Sequence, residues 1–236
     1  QMASEVVEIP LIIGGKKVTT KQQGQCVMPH DHKHVLGNFH MAGENEASEA
    51  IESSMLAWKT WSKTSLKERT KIFRKAAELL KGPWRDTINA ATMLNQSKNA
   101  FQAEIDAACE LIDFFNFNCQ YAEDIHNNQP LISPEGVKNS LEYRPLEGFV
   151  FAITPFNFTS IAGNLPCAPA LMGNVAIWKP ASSAVLPCYY LMEMLKEAGL
   201  PDGVINFLPG SGSKVGDPVL TNPNLSGVHF TGSTQT

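Results

Sequence analysis

The stretch GFVFAITPFNFTSIAGNLPCAPALMGNVAIWKP, residues 148–180, decides the fold. GFVFAIT is an unbroken apolar run too short for an ordinary helix, as expected of a strand covered on both faces. After the turn TPFN, SIAGNLPCAPALM (160–172) reads as a helix, and NVAIWKP (174–180) as a second strand that ends on Lys179. A strand, a helix and a strand joined this closely form a right-handed crossover between parallel neighbours.

The same alternation continues downstream. SAVLPCYYLMEMLKEAG (183–199) is the next helix, stopped by Gly199 and Pro201, and VINFLPG (204–210) and GVHFTGS (227–233) are two further strands. The expected core is a parallel sheet of at least four strands, whose ligand crevice lies at the carboxyl ends. Four turns meet there: 154–157, Lys179 with Pro180, 209–212 and 230–233.

The pattern changes near residue 130; from Glu46 to about Ile125 the apolar spacing is helical. Ala47, Ala50, Ile51, Ser54, Trp58 and Trp61 share one stripe, and Leu66, Phe73, Ala77 and Leu80 a second. Ser65 and Glu68 have the spacing of a capping box, and Gly82-Pro83 ends that helix. A longer helix is expected from about residue 100 to 121. NNQPLISPEG (127–136) is turn-rich, and VKNSLEYR (137–144) alternates like one arm of an extended hairpin. Its unpaired edge calls for a partner subunit.

The bulk numbers exclude several classes. The net charge of -4 argues against nucleic acid or an anionic membrane surface as the main partner. No run of about 18 apolar residues suggests a membrane span. Glu5 and Glu8, with no Arg in the first 25 residues, do not fit an uncleaved targeting peptide. Five cysteines, 26, 109, 119, 167 and 188, without CxxC or Cys/His metal spacing, point to a reducing compartment. The histidine-containing segment MPHDHKHVLGNFH (28–40) reads as a polar loop rather than a metal site.

At the crevice, Gly-rich turns let main chain approach a diphosphate, and a nucleotide is the economical ligand. Gly210, Gly212 and Gly216 form G-x-G-x-x-x-G, one residue off the dinucleotide fingerprint and after the third strand rather than the first. Lys179 either snorkels to water or hydrogen-bonds a ribose. Asn157, between Phe156 and Phe158, either satisfies the local turn or donates to a developing oxyanion.

TPFN (154–157), WKPAS (178–182), LPGSGSKVGD (208–217) and FTGS (230–233) together resemble the aldehyde dehydrogenase superfamily in order and separation. Residues 102–118, 143–174 and 196–207 resemble the branch that oxidises glutamate γ-semialdehyde to glutamate in proline catabolism. The resemblance implies a Rossmann-like α/β fold: a helical amino-terminal region (1–130), part of an oligomerisation hairpin (131–147) and the first part of an NAD-binding domain (148–236).

It also implies the chemistry. A cysteine thiolate attacks the aldehyde, an Asn and a main-chain N–H hold the oxyanion, hydride passes to NAD+, and a glutamate activates water. Transferred by position, Asn157 is the oxyanion donor. Thr154, Phe156, Lys179, Ser182, Gly212, Gly232, Ser233, Thr234, Gln235 and Thr236 bind the cofactor, while Glu110 and Phe158 lie near the substrate. Ser182 stands where many NAD-preferring relatives carry Glu, so the preference for NAD over NADP rests on the branch resemblance.

None of the five cysteines sits in the nucleophile's sequence context; Cys167, flanked by prolines, reads as a packed thiol. Family members are about twice this long, so these 236 residues are expected to lack the thiolate and general base, and hence turnover. The resemblance further implies a homodimer or higher oligomer, and a mitochondrial matrix location in a eukaryote or a cytoplasmic one otherwise. The rival readings are a non-catalytic nucleotide-binding or assembly protein, and an acyl-phosphate or acyl-CoA reductase on the same fold.

Overall fold

The structure, a computed structural model, describes residues 2–234. Two sheets are present among them. The larger forms the centre of the molecule and runs β3 (Lys16–Val18), β2 (Leu11–Ile13), β8 (Ile205–Phe207), β7 (Val175–Lys179), β6 (Phe149–Ile153) and β9 (Leu225–Phe230) from one edge to the other. Its parallel part consists of β6, β7, β8 and β9. Phe149 pairs with both Val175 and Leu225, which sets β6 between β7 and β9. Phe149, Phe151, Ile177, Trp178 and Phe207 are fully buried, as strands with helices on both faces must be. The fold is thus α/β, with a mixed sheet of mostly parallel strands.

The crossovers are α6 (Thr159–Leu171), α7 (Val185–Glu197) and α8 (Gly212–Leu220). α1 (Glu44–Trp61) packs on the sheet itself, against β7 and beside α8, whereas α2 (Leu66–Lys81) and α3 (Arg85–Gln96) pack against other helices, α3 against α7. The Ser65 capping box forms: its hydroxyl accepts from the Glu68 N–H, and Glu68 reaches back to the Ser65 N–H at 3.1 Å. The expected long helix runs from α4 (Ala100–Ala103) through a π-helical segment, Glu104–Cys109, into α5 (Glu110–Asn127). No periodicity in the sequence marks the π segment. Such wide turns occur often at functional sites.

Two expectations need correction. Residues 28–40 are not a loop. β5 (Asp31–His40) pairs antiparallel with β4 (Gln23–Met28) and parallel with β1 (Val7–Ile9), while β2 (Leu11–Ile13) and β3 (Lys16–Val18) extend the main sheet antiparallel. The first half of β5 is solvent-exposed, which admits Asp, His and Lys, and its second half buries Leu36 and Phe39. The histidines serve backbone and hydroxyl partners: His30 meets Ser97 Oγ, and His34 meets the Ala3 carbonyl, each at 2.6 Å.

Nor does 137–144 form a strand. Leu131 is wholly exposed and Ile132 is 81% exposed. The two limbs of this excursion are joined instead by Gln129, whose amide accepts from Leu141 N–H at 2.9 Å and donates to its carbonyl at 3.2 Å. Alternation of side chains does not supply the neighbouring strand that a ladder requires.

Candidate functional site

The carboxyl ends of β6, β7 and β9 enclose a crevice of about 440 Å³, lined by 153–157, Lys179, Ala181 and 230–233. Thr154 is buried at its floor and joins the two central strands: its hydroxyl accepts from the Trp178 indole N–H at 3.0 Å, and its own N–H reaches the Lys179 carbonyl. Lys179 is half-buried, with Nζ 3.3 Å from the Pro180 carbonyl. Burial lowers its pKa, the loss of water disfavouring the charged ammonium.

Asn157 is exposed at the mouth, and Phe156 is 62% exposed. The flanking phenylalanines do not bury the amide: the turn lifts Phe156 and Asn157 off the sheet, and Asn157 incurs no desolvation cost here. Its side chain makes no hydrogen bond among the described residues. Below it, Phe158 begins the descent into α6, whose first residue, Thr159, is bound by Thr92 at 2.8 Å and Gln96 at 2.9 Å.

Gly232 and Ser233 line the opposite lip, and Thr234 follows them exposed; Gln235 and Thr236 lie outside the described residues. Ser182 and Gly212 are not part of the crevice. Ser182 faces a neighbouring depression with Gln25, Val27 and His32. Gly212 opens α8, capped by Ser211, whose hydroxyl accepts from the Lys214 N–H. The third Gly-rich turn therefore shapes a helix start away from the crevice that the other turns enclose.

Glu110 accepts from Ser160 Oγ at 2.7 Å, so the long helix reaches the 157–160 turn from outside the sheet. Sequence reasoning missed Lys98, which contacts both Asp106 and Asn157, because its partners are separated from it in the chain and no periodic pattern marks it.

No cysteine lines the crevice. Burial pushes the Cys26 thiol up to about 12 and Cys119 to about 11, and raises Cys167 and Cys188 as well. Cys109 is also raised, by burial first and the Glu104 carboxylate second. These are poor nucleophiles, because attack needs the thiolate.

A family model for the aldehyde dehydrogenase family matches residues 17–236. The chain belongs to the aldehyde dehydrogenase family. Among curated relatives of this aldehyde dehydrogenase chain is a probable delta-1-pyrroline-5-carboxylate dehydrogenase of Schizosaccharomyces pombe, 48% identical over 97% of this chain and 42% of the relative. The human mitochondrial delta-1-pyrroline-5-carboxylate dehydrogenase is 47% identical over 97% of this chain and 40% of its own length. A crystal structure of the Mycobacterium tuberculosis enzyme, bound with NAD, superposes with a TM-score of 0.97 at 51% identity, covering 99% of this chain and 44% of that one. The chain thus spans less than half the length of these relatives. Some of the eukaryotic relatives, the human one among them, are named mitochondrial, and no described helix is long and apolar enough to cross a membrane.

Proposed function

We propose that this chain is the cofactor-binding and oxyanion-donating part of an NAD-dependent dehydrogenase that oxidises glutamate γ-semialdehyde, the open form of delta-1-pyrroline-5-carboxylate, to glutamate. One observation carries the reading: a crevice at the carboxyl ends of parallel strands has a half-buried lysine and a Gly-containing lip inside it and, at its mouth, an exposed Asn157 amide without a partner among the described residues. That is where an open α/β sheet receives a nucleotide.

The residues fit NAD. Lys179 offers a cation, without a carboxylate partner among the described residues, to a ribose hydroxyl, and the 231–233 turn leaves main chain accessible beside a diphosphate. NAD+, when bound, supplies the hydride acceptor. Thr154 holds β6 to β7 beneath it, and Phe156 gives the rim an apolar face. Asn157 donates its amide hydrogens to an aldehyde oxygen as that oxygen gains charge, an interaction stronger in the transition state than before it. Glu110, held by Ser160, and Phe158 flank the approach of the substrate.

The thiolate and the general base are contributed by sequence outside these residues, so the chain alone is inactive. Family membership and the exposed apolar excursion at 131–147 support a homodimer or larger assembly. If the source is a eukaryote, the relatives' names favour the mitochondrion.

The test is NADH formation from glutamate γ-semialdehyde by the full-length protein and its Asn157→Ala variant. The variant is expected to lose about 10²- to 10³-fold in kcat, as when other oxyanion donors are removed. Unchanged kcat, or no NAD+-dependent turnover by the unaltered full-length protein, overturns the reading.

A further inference from the structure

The turn that carries Asn157 is held from outside the sheet by one lysine. Lys98 follows the end of α3, where Ser97 takes a left-handed conformation (φ 50°). Its ammonium donates to the Asp106 carboxylate and to the main-chain carbonyl of Asn157, and lies 4.4 Å from the centroid of the Phe158 ring. The Lys98 and Asp106 side chains are only 13% and 18% exposed, so the pair is largely removed from water and its geometry is restricted accordingly. Asp106 lies in the π segment and Glu110 directly after it; these two carboxylates, four residues apart, hold Lys98 and Ser160 respectively.

A catalytic amide has to keep its side-chain donors free for the reacting oxygen, so its aim must be fixed through its own main chain. Asn157 meets this requirement among the described residues: its carbonyl is engaged, while its amide is not. Thr92 and Gln96 on Thr159, two residues on, anchor the other side of the turn. We infer that Lys98, oriented by Asp106, is a positioning residue that aims the Asn157 amide at the developing oxyanion. Lys98 is not itself a lining residue and reaches the crevice only through Asn157, not through the residues proposed to hold the cofactor. Its effect should therefore appear in turnover rather than in cofactor binding. The inference rests on the proposed role of Asn157.

The experiment is a double-mutant cycle in the full-length protein, combining Lys98→Met with Asn157→Ala and measuring kcat and KM for aldehyde and NAD+. In the Asn157 background, Lys98→Met should lower kcat by about 10- to 100-fold, the cost of a donor misplaced by about 1 Å, with KM for NAD+ changed by less than about 2-fold. In the Asn157→Ala background the same change should cost less than about 3-fold, because it acts through a group already removed. Lys98→Arg, which keeps the charge and the donors, should recover most of the loss. Asp106→Asn gives a milder second variant with the same non-additivity, should Lys98→Met not fold. Equal losses in both backgrounds, or a loss carried by KM for NAD+, overturn the inference while leaving Asn157 as the donor. If Asn157→Ala alone costs nothing, the oxyanion reading has failed and this inference fails with it.

Discussion

The indole N–H of Trp178 donates to the Thr154 hydroxyl at 3.0 Å, joining the ends of β6 and β7 in a fully buried contact. Thr154→Val keeps the volume and removes the acceptor, leaving a buried donor unsatisfied at a cost of about 1–3 kcal/mol. Thr154→Ser keeps the hydroxyl and should lose less. Urea denaturation of the three forms measures this, and equal midpoints for Val and Thr at position 154 would show that water or a rotated indole replaces the bond.

If Lys179 holds the cofactor as proposed, it should couple stability to NAD+ binding. Its pKa is depressed in the folded protein by burial, so the unfolded chain binds its proton more tightly. Stability therefore rises with pH between the depressed value and the unfolded value near 10.5, and below that window the full cost of burying the ammonium remains. Lys179→Met should raise the melting temperature without cofactor and shrink the increase produced by saturating NAD+. A tenfold weaker Kd removes about 1.4 kcal/mol of that protection. Differential scanning fluorimetry with and without NAD+ separates the two effects; undiminished protection in the variant would remove Lys179 from the site.

How much of this was legible beforehand follows from where each signal resides. The β6-α6-β7 unit is readable because strands buried on both faces are written as local apolar runs. β5 was unreadable because its first half is exposed and carries Asp31, His32 and His34, while the burial of Leu36 and Phe39 depends on partners elsewhere in the chain. The excursion at 131–147 has a strand's alternation, but a ladder also needs a neighbour. Asn157 is readable as a candidate from its place in the TPFN turn, but its exposure is not, because the turn lifts it off the sheet despite its two phenylalanine neighbours. Lys98 left no local trace at all, since its grip on Asn157 spans 59 residues.

The thiols should be quiet. With Cys26 raised to about 12, Cys119 to about 11, and Cys167 and Cys188 raised by complete burial, iodoacetamide at pH 7.5 should leave these four unlabelled in the native protein. Cys109, half-buried beside Arg85 and Glu104, should react slowly. Peptide mass mapping after timed alkylation decides it. Rapid labelling of Cys167 would contradict its place as a packed core thiol and reopen it as a nucleophile.

Gly148 sets the register of β6 against β9. Its φ of +115° is a conformation open to glycine alone without strain, and an added Cβ would overlap the Asn224 carbonyl oxygen. That same carbonyl accepts from the Phe149 N–H at 2.9 Å, so the chain cannot move away without breaking the first link between the strands. Gly148→Ala should cost more than about 2 kcal/mol, combining backbone strain with a displaced ladder. Because β9 leads directly into the 231–233 lip of the crevice, protection by NAD+ should fall along with stability. Gly227→Ala, on β9 itself with no atom near the added Cβ, is the control and should change stability by no more than about 0.5 kcal/mol. Equal effects at the two positions would show that any methyl on this edge perturbs the sheet, and that Gly148 has no special part in aligning β9.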